Sequence, residues 1–565
     1  MVVQANVTEV IVKQTNIGKR AVNALWKSVK EKARKKDKKA DRPDGIFITE
    51  PAPDQTQYAC DAIRRANEKE PFLFEYMEDV AIVDHGRIRV TDPAKKRHEL
   101  GKVASFHRLK GEGETQHIYP PMDVVNDVFA SDLSQFLLPI RGAVDTPFFA
   151  ADGTLVTENG YHFGSEVFLQ SELEFKRVSA VPTAEEVHEA KRLLIEEVLA
   201  DFPLGALTRP EIISQALNGA GVPAVTNMMA CILLPFMREM VDGPTPGHLL
   251  TKPEPGTGAS LLVDAISIIA NGQVTPALAM PGNKDEMAKT LTSVLLNGQN
   301  MVFFDNINHS VDSGELASAM TTPIYQARIL GKSQTVEVDV RCSWVFTGNS
   351  VKLAQELVRR LIMIDLDAKM ENPELRTDFR HEDIRGWAEV NRGELVWACL
   401  TLIQNWVAQG MVKQKDVVLA SYENWSGVVG GVLKAAGLGG FMGNRDKLQS
   451  ANADADSPLA LLKERIAQFD AGTEFVTGNT NRRKNAVSIK GELEGFDDGE
   501  PLYIDGWGYD KHSKEYDNPA KLGQYFGRFA ETFRADRDGG TYSLVKEDKG
   551  GTKVWTLRFE KRGEA

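Results

Sequence analysis

Three short stretches between Lys252 and Asp367 carry the residue types that phosphate chemistry needs. The first, from Thr251 to Ser260, reads TKPEPGTGAS and lies between an apolar run and a helix-forming run that begins at Leu261. A phosphate-binding loop needs glycines that let backbone N–H groups turn inward, a helix N-terminus, a lysine and a hydroxyl for magnesium. The order of strand, loop and helix here is the context in which such loops occur.

The loop has some of these groups and lacks others. Gly256, Gly258 and Ser260 supply glycines and the hydroxyl. Ala259 occupies the position of the usual lysine, and Pro253 occupies that of the first glycine. The loop therefore departs from the regular P-loop pattern, and only its neighbours in the sequence support the assignment.

Two further stretches place polar groups at the ends of apolar runs. Met301 to Asn306 ends in Asp305 and Asn306, as expected of a buried strand that delivers a magnesium-binding carboxylate. Residues 344–349 form a second apolar strand that ends in Asn349, whose amide suits the attacking water or a terminal phosphate. Residues 359–367 open with an arginine pair and continue as another strand. The joint order of glycine loop, acid, amide and arginines is far more specific than any one of them.

This combination resembles the helicase-like P-loop ATPases of phages and integrative mobile elements, the AAA+ and superfamily 3 relatives that include primase-helicases and replication proteins. The resemblance covers residues 120 to 450 well and the tail more loosely. The motifs that carry it are Asp201-Phe202-Pro203, Pro255-Gly256-Thr257-Gly258, Phe304-Asp305-Asn306, Arg328-Ile329-Leu330-Gly331, Thr347-Gly348-Asn349, Arg359-Arg360, Asp365-Leu366-Asp367, Glu371-Asn372-Pro373, Phe379-Arg380-His381, Trp387, Gly430-Gly431 and Phe441-Met442-Gly443-Asn444. The missing lysine departs from the family and bears on hydrolysis rather than on the fold.

The resemblance implies an α/β P-loop (AAA+-like) ATPase core, with ATP and Mg²⁺ as cofactors, DNA as a partner, and assembly into a homo-oligomeric ring, a hexamer. The residues expected to contact nucleotide are Lys252, Pro255, Gly256, Thr257, Gly258, Ala259, Ser260 and Leu261. Ser260 and Asp305 are expected to hold the metal. The expected catalytic residues are Asp305, Asn306, Asn349, Arg328, Arg359 and Arg360. Asn306 stands where many such ATPases have a glutamate, so the general base stays open.

The arginines compete for one role. Arg328, or one of Arg359 and Arg360, would stabilise charge on the terminal phosphate or reach a neighbouring subunit's nucleotide. The alternative for each is a structural ion pair. Lys252, immediately before the loop, is predicted to replace the missing cation, as an extra lysine does in the deviant P-loops of partitioning ATPases. The alternative is an exposed lysine at the end of a strand.

Composition narrows the class of protein. The 565 residues predict three or four domains, and 42% hydrophobic with 26% charged residues is typical of a globular protein. No apolar run is long enough for a membrane helix and no secretory signal begins the chain, so we expect a cytoplasmic protein without a membrane partner. The four cysteines lie far apart, which argues against disulfides and a zinc site.

Charge restricts where DNA would bind. The net charge of -12 argues against a general coating for nucleic acid. However, residues 1–42 hold twelve basic and four acidic residues, and residues 521–565 hold ten basic and seven acidic residues. DNA contact is therefore expected at the ends of the chain, although the N-terminal helix predicted at 21–39 reads equally as a solvated arm.

The domain organisation follows from these patterns. We predict a basic arm (1–44), an α+β N-terminal domain (45–181), a helical segment (182–241), the P-loop core (242–370), a helical lid (371–448), a linker with a short helix (449–489) and a winged-helix-like domain (490–565). The last rests on an amphipathic helix at 521–535 with Leu522, Phe526 and Phe529 inward, followed by a basic hairpin. The same pattern also serves contacts with proteins.

Three functions compete. The first is an ATP-dependent DNA helicase or replication ATPase. The second is a nucleotide-binding switch that has lost hydrolysis and acts as an initiator, loader or scaffold. The third is a DNA-binding protein whose P-loop fold is only structural. Nucleotide-dependent assembly without turnover would select the second, and absence of nucleotide binding would select the third.

Overall fold

The computed structural model describes residues 45–48, 50–109, 115–328, 335–349, 351–370, 372–452, 458–476, 486–489, 522, 526–527, 529–530, 533–537, 540–549 and 552–561. The predicted basic helix at 21–39 and the Ile329-Leu330-Gly331 motif lie outside these residues. The chain divides into two compact units. The first comprises residues 1–307, 315–349 and 364–441, and the second comprises residues 308–314, 350–363 and 442–565.

The first part of unit one is a mixture of short strands and helices, as the sequence predicts. Its strands are β1 (Ile46–Phe47), β2 (Phe74–Tyr76), β3 (Asp79–Asp84), β4 (Arg87–Val90), β5 (Phe106–Leu109), β6 (Thr115–Ile118), β7 (Leu138–Pro139), β8 (Gly142–Val144), β9 (Phe148–Phe149), β10 (Leu155–Val156), β11 (Gly160–His162) and β12 (Val167–Leu169). Its helices are α1 (Ala52–Lys69), α2 (Pro93–Val103) and α3 (Met122–Ala130). The strands form separate small sheets, with orders β1-β5-β6, β4-β3-β2-β7, β11-β12-β8 and β10-β9.

A helical segment precedes the central sheet. Its elements are α4 (Ala184–Arg192), a π-helix (Leu193–Leu199), α5 (Arg209–Leu217), α6 (Pro223–Leu233) and a 3₁₀ segment (Leu234–Met240). A capping box begins α4, because Thr183 and Glu186 each accept a hydrogen bond from the other's backbone N–H. The charged amphipathic pattern from Pro182 to Asp201 predicts one continuous helix. In the structure, Leu193–Leu199 form a π-helix instead, a conformation often found near functional sites.

The central sheet has five strands, in the order β14-β15-β18-β13-β19. They are β13 (Gly247–Lys252), β14 (Ala277–Leu278), β15 (Met301–Ile307), β18 (Ser343–Asn349) and β19 (Leu361–Asp365). The pairs β14 with β15, β15 with β18, and β13 with β18 are parallel. The core positions of β13, β15 and β18 are almost entirely buried, which explains their continuous apolar runs.

Helices and one hairpin lie between and after these strands in the sequence. They are α7 (Ala259–Asn271), α8 (Lys284–Leu296), α9 (Gly314–Thr321), the antiparallel pair β16 (Ile324–Arg328) and β17 (Thr335–Asp339), and then α10 (Gln355–Val358), a 3₁₀ turn (Pro373–Leu375), α11 (Ile384–Val390), α12 (Arg392–Ala408) and α13 (Glu423–Ala435). The architecture is thus mixed α/β, with a parallel sheet and helices. None of the helices among the described residues is both long and apolar enough to span a membrane.

The C-terminal part of unit two has its own core. It contains α14 (Arg445–Asn452), α15 (Pro458–Ala467) and a five-stranded sheet of β20 (Glu474–Val476), β21 (Val487–Ser488), β22 (Arg534–Arg537), β23 (Gly540–Lys549) and β24 (Thr552–Lys561), in the order β21-β20-β24-β23-β22. Leu522, Phe526 and Phe529 are buried in one cluster with Trp555, as expected for inward-facing residues. The predicted end of the helix at residue 535 is wrong, because Arg534–Arg537 form β22. The segment 449–489, predicted to be a linker with a short helix, also supplies two strands, because Phe475 pairs with Trp555 across the sheet.

The core of unit one contains a histidine that should make stability depend on pH. His248 on β13 is fully buried, packs against Trp425, and neither ring nitrogen has a hydrogen-bond partner among the described residues. Burial lowers the pKa of His248 to about 3. Because the folded pKa lies below the ordinary value of about 6.5, the unfolded chain takes up the proton first, and stability falls as pH drops below about 6.5.

We therefore expect the free energy of unfolding to fall by about 2 kcal/mol more between pH 6.5 and pH 5 in the parent than in His248→Phe. The phenylalanine keeps an aromatic ring against Trp425 and removes the titrating group. Urea unfolding of the full chain at the two pH values, monitored by tryptophan fluorescence, measures the difference. Parallel pH profiles for the two proteins would contradict the assignment.

Candidate functional site

The glycine loop that the sequence predicts to bind phosphate lies between β13 and α7. Gly258 is the N-cap residue of α7 and has a left-handed backbone, with φ of 87°. The unpaired N–H groups and partial positive charge of the first helical turn therefore face the loop. This is the arrangement in which proteins bind phosphate groups.

Both loop glycines are needed for close packing as well as for backbone conformation. Gly256 has φ of 83°, and a Cβ there would lie 2.8 Å from Glu374 Oε2. A Cβ at Gly258 would lie 3.1 Å from the ring of Phe202. Two other segments of the chain thus contact the loop, and neither was assigned a role from the sequence.

Asp305 lies at the centre of the site. Its Oδ1 accepts a hydrogen bond from Ser260 Oγ, with an O–O distance of 2.8 Å, and a second from Thr347 Oγ1. Ser260 is in the first turn of α7, Asp305 is on β15, and Thr347 is on the neighbouring β18. The structure therefore brings together the hydroxyl and the carboxylate that the sequence predicts as metal ligands.

Ser260 and Asp305 suit a magnesium ion better than a metal that needs several protein ligands. No group of three or more His, Cys, Asp or Glu side chains suited to a metal occurs in the described part of the chain. Mg²⁺ commonly uses only one or two protein oxygens and takes its other ligands from water and substrate phosphates. Ser260 and Asp305 provide such a pair beside the glycine loop.

Asn306 lies at a bulge. The register of β15 against β18 shifts between Phe304 and Ile307, and Asn306 has a left-handed backbone with φ of 53°. Its N–H donates to Thr347 Oγ1 at 2.9 Å, and its side chain is exposed. Asparagine tolerates this conformation better than most residues, which gives a structural reason for asparagine at this position.

Lys252 is the last residue of β13 and pairs with Asn349 in the sheet. It is only 9% exposed, which excludes the alternative of an exposed lysine at the strand end. Burial lowers the pKa of Lys252, while the negative charge of Asp305 acts to raise it. Lys252 forms no ion pair with another described residue. Its ammonium is therefore available to a ligand, and the charge of Asp305 still acts on it electrostatically.

Two buried polar atoms at the site have no hydrogen-bond partner among the described residues. They are Thr257 Oγ1, in the loop, and Asn349 Oδ1, at the end of β18. Buried polar atoms are nearly always satisfied in proteins, and unpaired ones mark places where a ligand or water binds. A hydroxyl in the glycine loop and an amide at the end of a central strand are groups that could bind a phosphate oxygen and a water.

The remaining predicted residues are placed as follows. Pro255 is exposed, Ala259 is buried at the first turn of α7, and Leu261 is half-buried on the same helix. Arg328 ends β16, on a hairpin that is not part of the central sheet.

Arg359 and Arg360 belong to the second unit. Arg360 pairs with Glu356 Oε1 at 3.0 Å and is nearly buried, as the structural alternative expects, whereas the Arg359 side chain is 65% exposed.

Sequence reasoning missed a role for Thr347. Its only indication in the sequence is a hydroxyl inside an otherwise apolar strand. The residues around Asp201 and Glu374 were also missed as loop neighbours, because their positions depend on tertiary contacts distant in sequence.

Comparisons with known proteins give distant structural likenesses only. No protein-family profile matches the chain, and no curated protein matches it. A solved structure of the C-terminal region of phage NrS-1 is 12% identical, with a TM-score of 0.33, and the alignment covers 84% of this chain and 100% of that one. A second structure of that region has a TM-score of 0.34 and 9% identity, covering 72% and 78%. JCV helicase is 12% identical, with a TM-score of 0.21, covering 51% and 65%. At these scores the likenesses do not decide function.

The hydrogen bonds of Thr347 generate a stability prediction. Thr347→Val should lower the free energy of unfolding by about 1–3 kcal/mol, because it leaves the Asn306 N–H without its acceptor and removes one donor to Asp305. Thr401 is the matched control, since it is 1% exposed and its hydroxyl has no partner among the described residues. Thr401→Val should be neutral or stabilising. Chemical denaturation measures both, and equal effects would show that the Thr347 hydrogen bonds contribute nothing.

Proposed function

We propose that this chain is a nucleotide-binding ATPase of the helicase type that acts on DNA in the replication of a phage or mobile element. The observation that carries the proposal is the contact of Ser260 Oγ with Asp305 Oδ1 beside a glycine loop at a helix N-terminus. A hydroxyl and a carboxylate held together at that place are the protein ligands of a magnesium nucleotide.

The nucleotide is proposed to be ATP, bound with Mg²⁺. Backbone N–H groups from Gly256 to Leu261 would bind its phosphates, and Ser260 with Asp305 would hold the metal, which would neutralise charge and orient the phosphates. The Thr257 hydroxyl and the Asn349 amide are the unsatisfied buried groups available to a phosphate oxygen and a water. Thr347 would position Asp305 without touching the nucleotide.

The missing cation is proposed to be Lys252. Lys252 is buried, has no ion pair among the described residues and is affected by the charge of Asp305. It places a positive charge at the end of β13 where the loop begins. Its lowered pKa means that a bound polyphosphate, which favours the charged form, would restore the proton affinity that burial removes.

Assembly and DNA contact extend the proposal. A ring, most simply a hexamer, would place an arginine of one copy at the nucleotide of the next. Arg328 and Arg359 are the candidates: both Arg359 and Arg360 lie near Glu356, at 3.8 and 3.0 Å, but the Arg360 side chain is nearly buried whereas that of Arg359 is 65% exposed. DNA is proposed to bind the hairpin of β23 and β24, where Lys546 and Lys553 are exposed. A winged-helix-like role for residues 490–565 fits this hairpin, and protein contact is the alternative.

A second candidate function has specific support. Ala259 removes the usual cation and Asn306 removes the usual carboxylate base, so the chain has two of the features expected of a nucleotide switch that binds without turnover. Such a protein would serve as an initiator, loader or scaffold. Measuring ATP binding and ATP hydrolysis by the pure protein, each with and without single-stranded DNA, separates the two functions.

The first prediction from this proposal concerns Asp305. Asp305→Asn keeps an oxygen that accepts from Ser260 and Thr347 but removes the negative charge, so the fold should persist while hydrolysis falls by about a hundredfold or more. Steady-state phosphate release measures the rate, and Asp285→Asn, an exposed acid on α8, is the control. Wild-type turnover in Asp305→Asn would refute the metal assignment. Magnesium-dependent ATP binding without turnover in the parent protein would select the switch.

The second prediction concerns Lys252. Lys252→Ala should weaken ATP binding by about tenfold and ADP binding much less, because a charge-assisted contact to the terminal phosphate is lost. Ala259→Lys in the same background should restore binding. Calorimetric titration measures the dissociation constants, with Lys284→Ala, an exposed lysine, as the control. Unchanged affinity for both nucleotides would show that Lys252 does not supply the cation.

The third prediction concerns DNA. Lys546→Gln and Lys553→Gln should each weaken binding of single-stranded DNA and reduce the slope of log affinity against log salt by about one. These substitutions are preferable to truncation at residue 490, because β20 and β24 share a sheet. Lys415→Gln, an exposed lysine of unit one, is the control. Equal slopes in fluorescence anisotropy for all proteins would leave the hairpin as a protein-contact surface.

A further inference from the structure

A short piece of chain covers the phosphate loop. Residues 372–380, here called the cover segment, place Glu374 directly against Gly256. A Cβ at Gly256 would lie 2.8 Å from Glu374 Oε2 and 3.1 Å from the Glu374 backbone nitrogen. The absence of a side chain at Gly256 is therefore what admits this contact, and the Glu374 carboxylate lies at the loop where phosphate charge would arrive.

The cover segment is tied to the helical region by hydrogen bonds and ion pairs. The Arg380 N–H donates to Asp201 Oδ2, and Arg376 Nη2 donates to the Asp201 carbonyl, both at 2.7 Å. The Arg380 guanidinium also pairs with Glu197 at 2.6 Å and with Glu196 at 2.8 Å. Glu196 and Glu197 belong to the π-helix, so this irregular element presents two adjacent carboxylates to one arginine.

The residue after Asp201 contacts the second loop glycine, Gly258. Phe202 follows Asp201 and packs against Gly258. Asp201 is 8% exposed and also accepts from Arg209 Nε at 2.6 Å. The buried Asp201 therefore fixes both segments that contact the loop, Phe202 and the cover segment. The position of the cover segment is thus determined by specific hydrogen bonds.

The charges at the loop are unfavourable for an anion in this arrangement. Glu374 is exposed and has no ion pair among the described residues. Glu254 adds a second carboxylate within the loop sequence, and Ala259 removes the usual positive charge. Like charges a few ångström apart repel, and physiological salt screens them only over about 8 Å. Glu374 therefore opposes the approach of a polyphosphate.

We propose that the cover segment is an autoinhibitory gate, in which Glu374 lies at the phosphate loop and must move aside before a nucleoside triphosphate binds. The gate is held shut by the contacts of Arg376 and Arg380 with Asp201, Glu196 and Glu197. This inference rests on the proposed function, since it requires that the loop binds phosphate. Whatever breaks these contacts, such as a DNA strand or a neighbouring copy of the chain, would raise nucleotide affinity.

The test is nucleotide affinity in the full chain carrying Glu374→Gln. The substitution is nearly isosteric and exposed, so the fold should be unaffected. The dissociation constant for ATP with magnesium should fall by about threefold to tenfold, with a smaller change for ADP, and the difference should shrink as salt is raised. Glu382→Gln, an exposed acid close in sequence, is the matched control and should not change affinity.

A second variant tests the ties. Arg380→Gln should itself tighten ATP binding, and Glu374→Gln should add less in that background than in the parent, because a released segment no longer holds its carboxylate at the loop. Full additivity of the two changes would overturn the role of the ties. Unchanged or weaker ATP binding in Glu374→Gln would overturn the gate.

Two further outcomes separate the possible failures. If Glu374→Gln weakens ATP but leaves dATP unchanged, the carboxylate binds a ribose hydroxyl and the gate is wrong. If Ala259→Lys binds ATP while Glu374→Gln has no effect, the gate fails and the nucleotide site stands. If the parent, Glu374→Gln and Ala259→Lys all fail to bind any nucleotide, the proposed function fails and the gate fails with it.

Discussion

The carboxylate of Asp305 is the interaction on which the site depends. It accepts hydrogen bonds from Ser260, in the first turn of α7, and from Thr347, on the neighbouring strand. These two bonds fix the start of α7 to the ends of two central strands. Because Thr347 also accepts from the Asn306 N–H, the left-handed backbone at the bulge is held by the same hydroxyl. Asp305 thus fixes the first turn of α7, the bulge at Asn306 and the end of β18 relative to one another.

The charge around this acid is arranged unusually. In a regular phosphate loop a lysine stands one residue before the hydroxyl, at the helix start. Here that position is Ala259, and the cation proposed in its place is Lys252, at the end of the strand before the loop. Burial makes its proton easier to lose, so its charge would be coupled to ligand binding to a degree that an exposed lysine would not show.

The sequence predicted the central elements well, because each has a strong local pattern. The apolar runs before Lys252, Asp305 and Asn349 can only be buried strands, and they form neighbouring parallel strands in the structure. The side-chain geometry was less accessible. That Thr347 contacts Asp305 depends on the register of β15 with β18, which no local pattern reveals. Likewise the π-helix is absent from the sequence prediction, because its residues have an ordinary amphipathic helical pattern.

In the C-terminal region, too, the local sequence pattern predicted some elements and missed others. The hairpin and the inward aromatic residues were predictable, because Phe526 and Trp555 follow the periods of a helix and a strand. The two short strands before residue 490 were not, since three residues at 474–476 are too few to show alternation. Pairing of β20 with β24 buries Phe475, and β21 adds the edge strand beyond β20.

The loop glycines illustrate how one residue type can serve opposing requirements. Glycine in a phosphate loop is usually explained by the approach of a ligand to the backbone. In this chain Gly256 and Gly258 are contacted by Glu374 and Phe202, so the space that a ligand would use at one of them is bordered by a carboxylate. A contact that stabilises the loop in the absence of ligand must be given up, or rearranged, when ligand binds. Because the cover segment is held mainly by charged groups, of which Arg380 is partly exposed, that exchange should depend on salt and on any partner that competes for Arg380.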